Sequence, residues 1–337
     1  MFSFSEIGKP EYARLSPHLG SFKSKTLFHE PCWLDYLEST GKGTPKFFEI
    51  KNGQRSLGYF VFLECRVGPF RVMGSPLPGW TTNYMGPLIN EDIDQEVLVR
   101  SILQLARKRK CLYIELKNQI LDQEIMKRGR FKSVAGKTAV KRIGGEESAI
   151  LASMEGTARN RIRKALKNNL ELEMAEEMDA IDEYYVMIVE RYREQGLDFP
   201  FGKERLYRLW ECLKPTGRLL VLRIRRNGKT IAAGLFPHDE RCIYYFGGAS
   251  LHEEKQYCPN ELMHWEVMRY ASREGIPEYD LCGTSRFKRK FGAEDIPFIS
   301  YSFSPVPGFD IMRKSLYSLY WKKLRMQQTL KDVIGNI

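Results

Sequence analysis

Residues 279–292 read Tyr279-Asp280-Leu281-Cys282-Gly283-Thr284-Ser285-Arg286-Phe287-Lys288-Arg289-Lys290-Phe291-Gly292. The pattern predicts a short strand, a glycine turn and a compact basic segment. Polar and basic groups gathered at a strand's end are where an open sheet usually holds a ligand. Two readings of the segment stand side by side. Lys288 is a functional cation, or it is one of four bases in a surface loop whose Phe287 and Phe291, four apart, anchor to a core.

Working outward, 337 residues exceed one average domain, and two domains are expected, 1–150 and 151–337. A hydrophobic content of 43% and an aromatic content of 12% suffice for full cores. No run approaches the ~18 apolar residues of a membrane helix. Met1-Phe2-Ser3-Phe4-Ser5-Glu6 lacks a basic start followed by an apolar stretch, so a cytoplasmic protein is expected. The seven cysteines are scattered and never form a CxxC pair, which reads as reduced thiols. The five histidines show no metal-ligand spacing, and no metal is expected. A net charge of +11 suits nucleic acid, anionic lipid or a phosphate-bearing substrate.

In the first half, a short helix is expected at 32–39. A hairpin follows over 46–51 and 56–65, turned by Asn52-Gly53. Residues 67–87 read as loops, 93–108 as an amphipathic helix, 111–116 as a buried strand, 121–128 as a helix and 133–143 as a strand. The second half repeats that order. A hairpin turns at Asn227-Gly228, 242–246 continues the sheet, and 259–273 is helical with Gly275 closing it. Strands at 278–281 and 298–303 follow. The class is α/β, with mixed central sheets flanked by helices. No residue-level repeat is visible, so two similar domains are inferred from the order of elements.

Residues 156–169 carry five bases and no acid. Ala158, Ile162, Ala165 and Leu166 form an apolar stripe at helical spacing. Arg159, Arg163 and Lys167, four apart, can line one exposed face, where arginine's planar fork suits phosphate. Residues 171–183 then hold seven acids and no base. The alternative is a solvated helix face paired with that acidic stretch.

The run from Gly156 to Ala165, followed by Leu170, resembles the basic helix of the Fem family of peptidyltransferases and of related GNAT-like acyltransferases found in exopolysaccharide clusters. Tyr279-Asp280-Leu281-Cys282-Gly283-Thr284 resembles their "YDFGG" strand, and Phe287-Lys288 with Phe291-Gly292 resembles their "FK..FG" element. Cys258-Pro259-Asn260-Glu261-Leu262 sits where the family has a Pro-led helix start. Asn83-Tyr84-Met85-Gly86-Pro87 is similar to its "Y..GP" loop. The resemblance is firm over 156–303 and looser in the first 80 residues.

It implies two tandem GNAT-like (acyl-CoA N-acyltransferase) domains. It further implies transfer of an acyl or aminoacyl group to an amine of a cell-envelope or polysaccharide precursor, by direct attack on an ester or thioester. The donor would be an aminoacyl-tRNA, or an acyl-CoA or acyl-carrier thioester serving a small-molecule amine. Neither is a permanently bound cofactor. Lys288 takes the position implicated in stabilising charge on the attacked carbon's oxygen, a task suited to a fixed cation. Arg159, Arg163, Lys164 and Lys167 would hold phosphates. Tyr84, Tyr245, Gly247, Gly248, Asn260, Asp280, Gly283 and Phe287 complete the expected substrate-binding set.

The chain departs from the family at several points. Leu88-Ile89-Asn90 follows Pro87 where an aspartate often stands, and Thr284 replaces the second glycine of "YDFGG". There is no long coiled-coil arm and no glycine-rich pyrophosphate loop. The nearest substitute is Phe246-Gly247-Gly248-Ala249, ahead of a helix start that can hold an anion. Tyr244-Tyr245-Phe246 reads as a channel lining or as buried strand aromatics. Residues 311–331, with six bases, no acid and interleaved aromatics, suit either an anionic membrane surface or a closing helix. The reading from another class is a non-catalytic RNA-binding protein, resting on charge alone.

Overall fold

A computed structural model describes residues 1–309, except 42, 78, 80, 91 and 119, together with residue 315. The reading of 311–331 as a basic membrane-facing or closing helix therefore lies outside the described residues, apart from residue 315.

In chain order the elements are β1 (Ser3–Ile7), α1 (Lys9–Leu19), α2 (Pro31–Ser39), β2 (Thr44–Asn52), β3 (Arg55–Val67), β4 (Phe70–Ser75), β5 (Gly86–Ile89), α3 (Gln95–Lys108), β6 (Cys111–Asn118), α4 (Gln123–Arg128) and β7 (Lys132–Arg142). There follow α5 (Glu147–Ala152), α6 (Gly156–Leu166), β8 (Glu171–Met174), α7 (Asp179–Glu194), α8 (Lys203–Leu213), β9 (Leu219–Arg226), β10 (Lys229–Pro237), β11 (Cys242–Tyr244), β12 (Gly247–Ser250), α9 (Pro259–Arg273), β13 (Glu278–Asp280), α10 (Arg286–Arg289) and β14 (Glu294–Phe303). Short 3-10 turns join some of them.

The chain forms two compact units. The first takes residues 1–24, 41–134 and, at the C-terminal side, 299–309. Its sheet runs β1-β2-β3-β4-β6 and continues into residues 299–303 of β14. Asn52 pairs with Arg55 across the Asn52-Gly53 turn, which fixes the β2–β3 register. The expected loop over 67–87 is corrected in part. Residues 70–75 are β4, which lies antiparallel to β3 and parallel to β6. Asp94 caps α3 by accepting the Val97 N–H at 3.0 Å. The apolar side of α3, including Leu98, Ile102 and Leu105, joins a core with Phe48, Phe60, Phe62 and Tyr301.

The second unit takes residues 25–40 and 135–298. It holds a four-stranded sheet, β12-β10-β9-β8, and a group in which β13 pairs antiparallel with β7 and parallel with β11. Alternation along β9 assigns the faces of the larger sheet. Leu220, Leu222 and Ile224 pack with Ile162 of α6 and with Leu262 and Met263 of α9. Arg223, between them, faces the other way toward Asp179 and Glu183 of α7. The sheet is thus sandwiched, with α6 and α9 on one face and α7 on the other.

Residues 25–40 are fastened by charge. Lys25, 3% exposed, reaches Glu30 at 2.6 Å, Asp239 at 3.2 Å and Glu240 at 2.6 Å. Arg218 adds a contact to Glu240 at 2.9 Å. Trp33, fully buried, packs its ring on Phe28, Tyr36 and Phe246.

Candidate functional site

Between β11 and β12 the chain changes sheets. The N–H of Tyr245 donates to Asp280 O of β13 at 2.9 Å, and the next N–H, of Phe246, donates to Leu235 O of β10 at 3.1 Å. Adjacent amides are committed to different sheets. Beyond that point β12 follows β10 alone, while the chain after β13 turns away through Cys282 (φ 54) and Gly283 (φ 138). The point where strands part company is the ordinary place for a ligand in an open sheet.

The walls there are built from a few residues. Alternation on β12 sends Gly247 toward α7 and Gly248 toward the α9 face. A Cβ at Gly247 would meet the Tyr184 hydroxyl of α7, and one at Gly248 would lie 2.9 Å from the Tyr245 hydroxyl. The glycines are required because a tyrosine approaches each face. Both belong to a strand, with Gly248 paired to Gly234 and Gly247 to Leu235. β12 is the outermost strand of its sheet. Burial pushes the Tyr245 phenol up to about 12, against the opposing charge of Arg191. It pushes Tyr184 up also.

The carboxyl end of β13 supplies the other wall. Asp280, 2% exposed, accepts from Thr138 Oγ1 at 2.5 Å and from the Cys282 N–H at 2.7 Å. The Gly283 N–H donates to Thr138 Oγ1 at 3.1 Å. Asp280 is therefore a buried turn-setter. The turn aims α10, whose Lys288 Nζ donates to Cys282 O at 2.9 Å and lies 5.3 Å from the Tyr245 ring centroid. A Cβ at Gly283 would stand 3.1 Å from that nitrogen, so the missing side chain leaves it room. Burial lowers the Lys288 pKa, while Cys282 and Asp280 work the other way. An ammonium has three donors, and one is used on Cys282 O. The two phenylalanines part roles: Phe291 is fully buried and Phe287 is 36% exposed. His264, 2% exposed, contacts Tyr279 Oη at 2.7 Å and lies against Tyr245, Phe287 and Phe291. Burial, then Lys288 and Lys290, hold its pKa at about 3. It is a neutral core histidine under the site.

Asn260, in the first turn of α9, donates to Ser250 Oγ at 2.9 Å and ties α9 to the end of β12. On α6 and at its carboxyl cap, Arg163, Lys164 and Lys167 are exposed and make no ion pair among the described residues. Arg159 does not join them in the same way. Its guanidinium donates to Ala152 O at 2.9 Å and to Met154 O at 2.6 Å, closing the carboxyl end of α5. The acidic stretch 171–183 does not pair with this row. Glu173, Asp179 and Glu183 surround Arg223 at 2.6, 2.9 and 3.1 Å. Glu176 meets Lys214, and Asp182 meets Lys203. The α6 cations are left facing solvent. Tyr84 lies in the other unit, 8% exposed, with Lys117 Nζ 5.4 Å from its ring centroid.

Sequence reasoning missed Arg191. It stands on α7 seven residues after Tyr184, hence on the same face two turns on, and its charge acts on both Tyr184 and Tyr245. It makes no ion pair among the described residues. The signal was there in the spacing Tyr184, Ile188, Arg191. The site thus joins a cation in a crevice, two phenols, strand glycines and outlying cations. Such a set can hold an anionic carrier and steady an oxygen that gains negative charge. Among the described residues no group of His, Cys, Asp and Glu could hold a metal ion.

Residues 152–289, which span every element of this site from α6 to α10, match the model of the acetyltransferase (GNAT) domain. No curated protein matches the chain. Among solved structures, FemX is similar at a TM-score of 0.73 and 15% identity, over 94% of this chain and 99% of that one. A tandem GNAT protein from the clavulanic acid biosynthesis pathway is similar at 0.55 and 10%, over 91% and 99%. The C-terminal domain of a putative lysylphosphatidylglycerol synthetase from Agrobacterium fabrum is similar at 0.54 and 12%, over 88% and 92%. At these identities the likeness is one of fold, and the tandem GNAT-like architecture expected from the motifs is the one found.

Proposed function

We propose that this chain, an acyltransferase of the GNAT type, moves an aminoacyl or acyl group onto an amine of a cell-envelope or polysaccharide precursor, with Lys288 steadying the oxyanion. The observation that carries the reading is the place of Lys288: partly buried, at the mouth of the crevice between β12 and the end of β13, with donors to spare beyond Cys282 O. The acceptor nitrogen attacks the ester or thioester carbonyl. The C–N bond forms as the carbonyl π pair moves to oxygen, where Lys288 meets it. Collapse expels the carrier's oxygen or sulfur, and the proton of the attacking amine ends on the departing carrier or on solvent. Arg163, Lys164 and Lys167 hold phosphates of donor or acceptor, with Arg159 bracing the start of their helix. Tyr245, Gly247, Gly248 and Phe287 line the crevice. Asp280, Gly283 and Asn260 shape it.

Aminoacyl-tRNA is the first reading for the donor, in keeping with the Fem-like motifs. A coenzyme A or acyl-carrier thioester is the second. The open edge of β12, bare of side chains at two glycines, favours it, because an extended arm can pair there as an added strand. A cytoplasmic site of action beside the membrane belongs to the same proposal. No described helix is long and apolar enough to cross a membrane.

The test is Lys288→Ala. Transfer of labelled amino acid from aminoacyl-tRNA, and of acetyl from acetyl-coenzyme A, is followed to a nucleotide-linked muropeptide and to simple amines. Loss of one oxyanion donor predicts a fall of about 10²–10³ in rate with the circular dichroism unchanged. Transfer at the parental rate removes Lys288 from the chemistry.

A further inference from the structure

α10 has only four residues, too few to hold its own shape, so the aim of Lys288 depends on what grips the segment from outside. The grips converge on one carboxylate. Glu261, 4% exposed in the first turn of α9, accepts from Lys290 Nζ at 2.6 Å and from Arg161 Nη1 of α6 at 3.3 Å. Lys290, itself 9% exposed, lies 4.0 Å from the ring centroid of Phe287, the neighbour of Lys288. The Lys290 carbonyl accepts the N–H of Glu155, the residue that caps the start of α6, at 2.9 Å. A Cβ at Gly292 would strike Ser153 O, and Lys141 Nζ donates to Ser153 Oγ.

We infer that Glu261 is a positioning residue for Lys288, and that Arg161 ties the exposed-cation helix to it, so that α6 and α10 move as one piece. The inference rests on the proposed role of Lys288, though its first test needs no substrate. Arg161 touches nothing in 286–292 among the contacts of the site, and its guanidinium is mostly exposed. Its side chain reaches α10 through Glu261, beside the backbone bond from Glu155 to Lys290 O. A buried carboxylate holding two cations also suits the amino end of a 15-residue helix, where the peptide dipoles favour negative charge.

The experiment is amide hydrogen exchange of the full chain, read by mass spectrometry on peptides covering 286–292. Glu261→Gln should raise exchange there about tenfold, and Arg161→Gln about threefold. Arg208→Gln, an exposed cation in a surface pair with Glu211, should leave it unchanged. Because Arg161 is exposed, its variant folds even if Glu261→Gln does not. A second readout separates positioning from general loosening. Competitive acetylation with acetic anhydride across pH gives the titration of each lysine. In Arg161→Gln the Lys288 midpoint should climb toward that of an ordinary lysine, while Lys203 keeps its own. Arg161→Gln exchanging at 286–292 like Arg208→Gln, or a Lys288 midpoint that stays put, overturns the inference. Either result leaves the transfer reading to be judged by Lys288→Ala alone.

Discussion

Gly247→Ala is the sharpest probe of the crevice. The added methyl would come inside contact distance of the Tyr184 phenol oxygen by roughly an ångström, on a side chain only 3% exposed and packed between α7 and β12. Overpacking of that kind costs about 1–3 kcal/mol. The backbone at Gly247 is not left-handed, so alanine also gains about 0.5–1 kcal/mol by restricting the unfolded chain. The net loss should be about 1–2 kcal/mol. Tyr184→Phe removes the oxygen, and the next ring atom, Cζ, stands 3.5 Å from the new methyl, an ordinary contact. The double variant should therefore recover about 2 kcal/mol relative to the sum of the single changes. Urea unfolding followed by tryptophan fluorescence reports on this unit, since Trp33, Trp210 and Trp265 are all buried within it. Additive losses in the double variant would refute the packing of Tyr184 against β12, and with it the account of why the strand carries glycines.

His264 is held at about 3 and His238 at about 4, mainly by burial, so between these values and 6.5 the unfolded chain binds more protons than the folded one. Stability should fall as pH drops through that window, by at most about 1.4 kcal/mol per pH unit for each histidine, and His264→Gln should flatten the slope in urea titrations. Replacing Arg163, Lys164 and Lys167 together by glutamine should reduce the salt dependence of tRNA binding, the log–log slope losing about 2 to 3 if all three meet phosphates. An unchanged slope in filter binding would take α6 out of the interface. Lys25→Met leaves Asp239 buried without its cation and should cost about 3–5 kcal/mol, visible in urea and as earlier protease cleavage within 25–40.

Local chemistry made much of the fold readable in the sequence. Asn52-Gly53 and Asn227-Gly228 turn their hairpins where expected, and α9 runs over 259–273 as its Pro259 start and Gly275 stop imply. The failures are non-local. β4 is flanked by Gly68-Pro69 and Pro76, which read as loop punctuation, and only its parallel partner β6 makes it a strand. α7 is masked by its acids, although Ala180, Ile181, Tyr184, Met187 and Ile188 carry the helical period. The destination of those acids was invisible for the same reason: Arg223 is about 40 residues away along the chain from Asp179 and Glu183. In the site, Lys288 and the α6 row were legible as residue types. The tyrosine that makes Gly247 necessary, and the carboxylate that gathers Arg161 and Lys290, were not, because each is a meeting of segments far apart in sequence.

The hand-over at Tyr245 and Phe246 bears on how such a protein can diversify. Each of two consecutive amides is bonded to a different sheet, so sliding either sheet by one residue breaks a bond at the fork and turns the strand glycines to the wrong faces. The width of the opening is thereby locked to the strand registers. New substrates have to be won at the rim, by exchanging side chains on α6, α7 and α10, while the fork itself stays as it is.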